Sequence, residues 1–421
     1  MGYGEESLIN EIRKRPLVRP LIFWITGTIL QICFPLQTLS ILLFIGVLIF
    51  VPVSFFVSGK SSDYRSRWIW GVIFAALLVF LSIQRMSLAE QQAGRTTEQS
   101  VLQKKAGEFQ EWMVGKLDKL HISDEEKAVL ATLTLNYRRN MSRNVRMRFS
   151  VAGLSHLLSV SGFHVGIIAM FISLMLFFMP ERIRHVFTIL FIWMFTYTTG
   201  LATAAVRAAV MISIYLTGKI LGRRPDKYNT LAGAAFCMLV YNPFYLFDIG
   251  FQLSYMAVFF ILYLQPRLSG LLEVKNPMLA SPWNTLTLTV AAQTGTVFLC
   301  FYYFGQASLV FLFTNLFLSF LTVVLIPATL SLMIIPSWIP GFEILRSTVE
   351  VMTSSMMWVV ERFSSIPGAA ASVRFDLFTL IFSYACLAMI MLYFRTRNLR
   401  MLFACLSTLF VVLCWHLYNY L

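Results

Sequence analysis

Two histidines, three serines and two glycines interrupt an otherwise apolar stretch, Gly153-Leu-Ser-His-Leu-Leu-Ser-Val-Ser-Gly-Phe-His-Val165. Ser161 and His164 are three residues apart, a pairing that can act as nucleophile and base. No acid or oxyanion donor is identifiable beside them. The other use of such groups is to line a polar cavity or bond between helices, which is the expectation for His156, Ser161 and His164. No catalytic residue is assigned. Just upstream, Arg138, Arg139, Arg143, Arg146 and Arg148 stand close together, with no acid between 136 and 150. Guanidinium forks match phosphate oxygens, and such a cluster attracts a polyanion. Lipid headgroups are the alternative partner.

Further along, Arg207 sits in an apolar run between Ala205 and Val210. A charge within a span is costly and faces a watery path or a partner. Asp248 is the natural partner; snorkelling to the outer interface is the alternative. Gln252, Gln293 and Asn315 place amides in later apolar runs, where each serves as an interhelical hydrogen bond or as polar lining. The five histidines (His121, His156, His164, His185, His416) form no HxHxDH or HExxH pattern, and no Walker-type glycine loop is present. The expectation is a non-enzyme without metal or cofactor. The six cysteines lie in apolar runs with no CxxC pair, as small buried side chains do.

The elements that must position these groups are membrane helices. Hydrophobic residues make up 58% of the 421 and charged residues 13%, about half the charge of a soluble domain. Runs long enough for a bilayer fall at about 20–34, 36–57, 68–83, 155–179, 186–203, 204–221, 229–246, 249–265, 284–304, 308–335, 376–394 and 399–418. The fold class expected is all-α: a polytopic transmembrane bundle of about 11–13 spans with a short helical extramembrane segment. Its parts are N-terminal spans (1–83), an arginine-rich extracytoplasmic segment (84–150), a membrane domain (151–335), and an amphipathic or re-entrant segment with C-terminal spans (336–421). In the second part, Leu102, Ala106, Phe109, Met113, Leu117 and Leu120 recur at helical spacing, and Ser123 with Glu126 forms a capping box.

Sidedness follows from basic loops. With the N-terminus in the cytoplasm, Lys60, Arg65 and Arg67 are inside. So are Arg182 with Arg184, and Lys219, Arg223, Arg224 and Lys227. Arg395, Arg397 and Arg400 fall inside only if 342–366 also crosses, so a crossing or deeply re-entrant helix is favoured there, with an interfacial amphipathic helix as the alternative. The net charge of +14 is ordinary for such a protein.

Several stretches together resemble the competence domain of the ComEC family of DNA-uptake proteins. They are 153–165, Thr199-Gly200 with Val206-Arg207-Ala208, and Asn242-Pro243 leading to Asp248-Ile-Gly-Phe-Gln252-Leu-Ser254. A fourth is Ala292-Gln293-Thr-Gly-Thr296 with Tyr303-Phe-Gly305 and Asn315-Leu316. The resemblance covers roughly 125–335. It implies a channel passing single-stranded DNA across the bacterial cytoplasmic membrane, with His156, Ser161, His164, Arg207, Asp248 and Gln252 as motif residues. It also implies partners: a periplasmic DNA-binding protein, a cytosolic translocase and a separate nuclease. This sequence departs from the family at Ala204, where serine is usual, at Phe298, where proline is usual, and at Asn136-Tyr137, where a Gly-Asp turn is usual. The family's outer OB-like domain and metallo-β-lactamase-like domain are not expected in these residues. Two other readings stay open: a small-solute transporter with a midplane pocket around Arg207, Asp248 and Gln293, and a membrane subunit that docks a separate nuclease or DNA-binding protein.

Overall fold

The computed structural model describes residues 14–34, 67–93 and 101–420, with scattered helical positions between 38 and 49. Most of the run at 36–57, and the loop lysine and arginine at 60 and 65, lie outside the described residues. The chain is helical almost throughout, an all-α membrane bundle. Six described helices are long and apolar enough to cross a membrane, and three shorter ones are apolar as well. The chain divides into two compact units, residues 1–118, 134–137 and 160–255 in the first and 119–133, 138–159 and 256–421 in the second.

The first unit holds α1 (Val18–Cys33), α2 (Arg67–Ala93) and α3 (Val101–Val114). It continues with α6 (Gly162–Met175), α7 (Glu181–Thr198), α8 (Thr203–Ile220), α9 (Lys227–Tyr241) and the start of α10 (Ile249–Ser269). Its core gathers Trp24, Leu78, Ala235, Met238, Leu239 and Phe251. α1 and α2 meet where Gly27 lies against Ser82: an added Cβ would stand 2.8 Å from the Ser82 Cβ. Small residues of this kind let membrane helices approach closely. The Thr28 and Ser82 hydroxyls bond across the contact at 2.9 Å.

α2 runs well past the apolar stretch that ends near 83. In this extension Arg85 reaches out of the helix to donate to Val240 O at 3.1 Å and to Tyr241 O. It thereby satisfies carbonyls that the end of α9 leaves open. α6 is shorter than the apolar run at 155–179, because residues before Gly162 form a loop rather than a helix.

The second unit holds α4 (Asp124–Leu135, all but its last residues), α5 (Arg143–Val151), the rest of α10 and α11 (Pro277–Phe304). β1 (Gln306–Ser308), α12 (Phe311–Ile334), α13 (Phe342–Ser364), β2 (Ala370–Ser372), α14 (Leu377–Thr396) and α15 (Leu399–Tyr420) complete it. The capping box forms as its residues imply: Ser123 N–H donates to Glu126 Oε2 at 2.9 Å and Glu126 N–H to Ser123 Oγ at 3.3 Å. α4 is a core element, with Val129, Leu130 and Leu133 fully buried. The stripe expected over 102–120 is narrower than its spacing suggests. Ala106, Met113, Leu117 and Leu120 are buried, but Leu102 and Phe109 are exposed.

Residues 342–364 fold as one amphipathic helix, α13, which buries Phe342, Val349, Thr353, Met356 and Val360 on one face. It is not among the six long apolar helices. β1 and β2 pair antiparallel, Gln306 opposite Ser372 and Ser308 opposite Ala370. That ladder returns the chain after α13 to the start of α12. The Phe317 and Phe363 rings, 6.3 Å apart, bring together the opposite ends of the two helices. α12 and α13 are therefore an antiparallel hairpin.

Candidate functional site

Arg207 occupies the first half of α8, and its side chain is only 4% exposed. Its Nη1 lies 3.6 Å from Asp248 Oδ1, a carboxylate that is 44% exposed. The pairing expected from the sequence is thus present. Asp248 is held by its local fold. Asn242 caps the 3-10 turn Pro243–Phe247, and Asp248 then caps α10 by accepting the Phe251 N–H at 2.7 Å. Gly250 makes room for the pair: a Cβ there would stand 3.2 Å from Asp248 Oδ1 and 3.3 Å from Arg207 Nη2. Tyr245 and Tyr255 lie near the guanidinium and flank the Phe251 ring, at 6.5 and 4.2 Å between centroids. Gln252 faces back to the turn, donating to Leu246 O at 3.0 Å. The result is a desolvated cation held against a carboxylate that still meets solvent. Arg207 Nε makes no hydrogen bond among the described residues.

Ser161 and His164 open α6 together. His164 Nδ1 accepts the Ser161 N–H at 3.3 Å and lies 3.0 Å from the Ser161 hydroxyl. This is a capping box with an imidazole in place of the usual glutamate. Gly162 starts the helix beside Ala208 of α8, 3.8 Å from where a Cβ would stand. Sequence spacing joins His156 to this pair, but the structure places it in the second unit.

There His156 bonds to the Gly153 backbone and to Asn315. Asn315 Nδ2 donates to Thr289 Oγ1 at 2.6 Å, and the Ser319 hydroxyl approaches Asn315 Oδ1 at 3.4 Å. Polar side chains of α11 and α12 thus meet the loop before α6. Gly153 is required on two counts: its φ is +80°, and a Cβ would stand 2.6 Å from the Phe311 Cβ. Thr314 Oγ1 fixes the same loop by donating to Ala152 O at 2.7 Å. Gln293 is half-buried on α11 and makes no side-chain hydrogen bond among the described residues.

The arginines surround a short helix. Ser142 caps α5 by accepting the Val145 N–H at 3.2 Å, while Val145 and Phe149 point into the core. Arg138, Arg139, Arg143, Arg146 and Arg148 are all exposed. Arg148 Nη1 lies 3.9 Å from Glu361 Oε1 on α13. Among the described residues, Arg143 and Arg146 have no acidic partner. Partial burial and then the nearby Arg146 push the Arg138 guanidinium below its ordinary range. This is an exposed basic surface, the arrangement an anionic polymer requires.

Sequence reasoning passed over Thr289 and Trp358 and gave no role of their own to Gly250 and Arg362, because the importance of all four depends on contacts made through space. Arg85 did carry a signal, an arginine within an apolar window. Among the described residues, no group of three or more His, Cys, Asp or Glu is placed to hold a metal ion.

ComE operon protein 3 of Bacillus subtilis (strain 168) is 29% identical to this chain over 212 residues, 49% of this chain and 26% of the relative. The chain thus spans about a quarter of the length of that curated relative. No solved structure matches. The family model described as "Competence protein" matches residues 133–398, an interval that contains the five arginines, the capped Ser161–His164 turn and the Arg207–Asp248 pair. With that match covering more than half of its length, this multi-pass membrane chain belongs to the competence protein family.

Proposed function

We propose that this chain forms the membrane channel through which one strand of DNA crosses the bacterial cytoplasmic membrane during natural transformation. The observation that carries the reading is the exposed arginine surface on and before α5, inside the interval shared with the competence family. Phosphates meet these arginines on the outer face. Each unit also holds polar groups within its helix packing: His156 with Asn315, and Gln293, in the second; the Ser161–His164 turn, and Arg207 with Asp248 and Gln252, in the first. Conduction needs binding weak enough to release, so dispersed polar groups suit it better than one tight site. The chain acts as a conduit and not as an enzyme. A periplasmic DNA-binding protein delivers the strand, a cytosolic translocase pulls it, and a separate nuclease removes its complement. In this reading the N-terminus lies in the cytoplasm, which the basic loops at 182–184 and 219–227 support.

Deleting the gene and following labelled DNA past the cytoplasmic membrane tests this. The expected result is DNA that reaches the outer face of that membrane and stops there. Normal entry into the cytoplasm would overturn the reading. The burial of Arg207 favours one second reading, a small-solute transporter with a closed pocket at the Arg207–Asp248 pair. In that case the deletion would leave DNA uptake intact and abolish transport of a small anion.

A further inference from the structure

At the C-terminal end of α13 an open cleft of about 520 Å³ is lined by Trp358, Glu361, Arg362, Ser365, Ile366 and Pro367. Its size lies within the ~300–1,000 Å³ of small-molecule sites. The Trp358 residue is 59% exposed, so its ring face is open to a ligand in a concave, charged site. The Arg362 guanidinium stands 5.6 Å from the Trp358 ring centroid. The second charge lining the cleft is Glu361, which reaches across to Arg148 of the arginine helix at 3.9 Å. That contact joins the cleft to the basic surface of α5.

We infer that this cleft is a receiving site for single-stranded DNA, with Trp358 stacking on a base and Arg148 and Arg362 holding the adjoining phosphates. The inference rests on the reading of the chain as a DNA channel and names where the strand first docks. An exposed aromatic beside arginines is the combination that binds single strands without sequence preference, because every base has a face to stack. Glu361 is the counter-charge that phosphate must displace from Arg148. That makes capture reversible, as a conduit requires.

The test is binding of a fluorescent oligothymidylate to the full chain, purified and reconstituted in nanodiscs of zwitterionic lipid. Trp358→Ala is expected to weaken binding about 5- to 150-fold, the range covered by loss of one base–aromatic stack. Trp358→Phe is expected to keep most of the affinity, which separates stacking from misfolding. Glu361→Gln is expected to tighten binding, because it frees Arg148 and removes a negative charge from the phosphate site. A merely structural Glu361 would not produce that gain. Arg148→Ala with Arg362→Ala is expected to flatten the salt dependence by a log–log slope of about 1.4, since each contact to a single strand contributes about 0.7.

Unchanged affinity in Trp358→Ala, or weaker binding in Glu361→Gln, would overturn the cleft. So would a defect of Trp358→Ala that appears only as reduced affinity for anionic-lipid vesicles, which would make Trp358 and Arg362 a headgroup anchor. The two proposals fail separately. If gene deletion blocks uptake but Trp358→Ala binds normally, the channel stands and the cleft falls. If deletion leaves uptake normal while the variants shift oligothymidylate affinity as stated, the cleft stands and the channel falls.

Discussion

Asp248 does two jobs with one carboxylate: it caps α10 through the Phe251 N–H and faces the buried Arg207. Two substitutions separate these roles. Asn caps a helix about as well as Asp, so Asp248→Asn keeps the cap and removes only the charge. It leaves a desolvated guanidinium without its counter-ion, at a cost of about 1–3 kcal/mol after allowing for the half-exposed carboxylate. Asp248→Ala loses the cap as well, a further ~1 kcal/mol. The expected order of thermal melting for the detergent-solubilised chain is therefore wild type, then Asn, then Ala. Adding Arg207→Gln to Asp248→Asn is expected to recover part of the melting temperature, since no buried charge then remains. A double variant that melts below Asp248→Asn would show that the pair is not coupled in this way. The pair itself was legible in the sequence, because an arginine inside a span demands a partner and Asp248 shares its depth. Gly250 was not. Nothing in the order of residues says that a Cβ at that position would press on a guanidinium carried by a different helix.

Helix α4 shows what local rules can and cannot deliver. Ser123 and Glu126 announced the start of the helix, and the capping box is present. The other role of Glu126 was hidden: its Oε1 also accepts from Ser354 of α13 at 2.5 Å. Burial works against its charge, yet the hydrogen bonds from Ser354 and from the Ser123 backbone and hydroxyl prevail, holding the carboxyl below its ordinary value. The folded state therefore favours the ionised form. That stability is fully present above the ordinary value of 4.5 and is lost as pH falls through the lower folded value. Amide exchange in the first turn of α4, corrected for intrinsic rates, is expected to accelerate as pH drops below 4.5. In Glu126→Gln the exchange is expected to lose this pH dependence. An unchanged profile in that variant would mean that the carboxylate does not hold the turn. The element that misled the sequence reading was the loop 152–161. Its leucines and valines continue an apolar run, but His156 and Gly153 are engaged by α12, and the helix waits until Ser161 can cap it.

At the scale of the molecule, the two-stranded ladder decides how the C-terminal third threads. β1 precedes α12 and β2 follows α13, and the two pair residue for residue. α12 is 24 residues long and apolar enough to cross. If it leaves the outer face at Phe311, the chain must cross again before Ala370 to restore that pairing, and α13 is the only helix between them. Its charges are the obstacle, since an ionised residue at the centre of a span costs about 2.5–3.5 kcal/mol. They are met within the protein. Arg346 pairs with Glu343 at 2.5 Å and with Glu350 at 3.6 Å, and Glu350 also accepts the His121 N–H at 2.8 Å. Crossing then puts Arg395, Arg397 and Arg400 in the cytoplasm, where the positive-inside rule wants them. An interfacial α13 would leave all three outside. The expected outcome is that, in a cysteine-free background, Ser372→Cys is labelled by an impermeant maleimide in intact spheroplasts. Ser337→Cys, between α12 and α13, is labelled only after the membrane is opened. Protection of both positions until the membrane is opened would reject the second crossing and return α13 to the membrane surface. Arg395 and its neighbours would then stand as an exception to the charge rule that orders the rest of the chain.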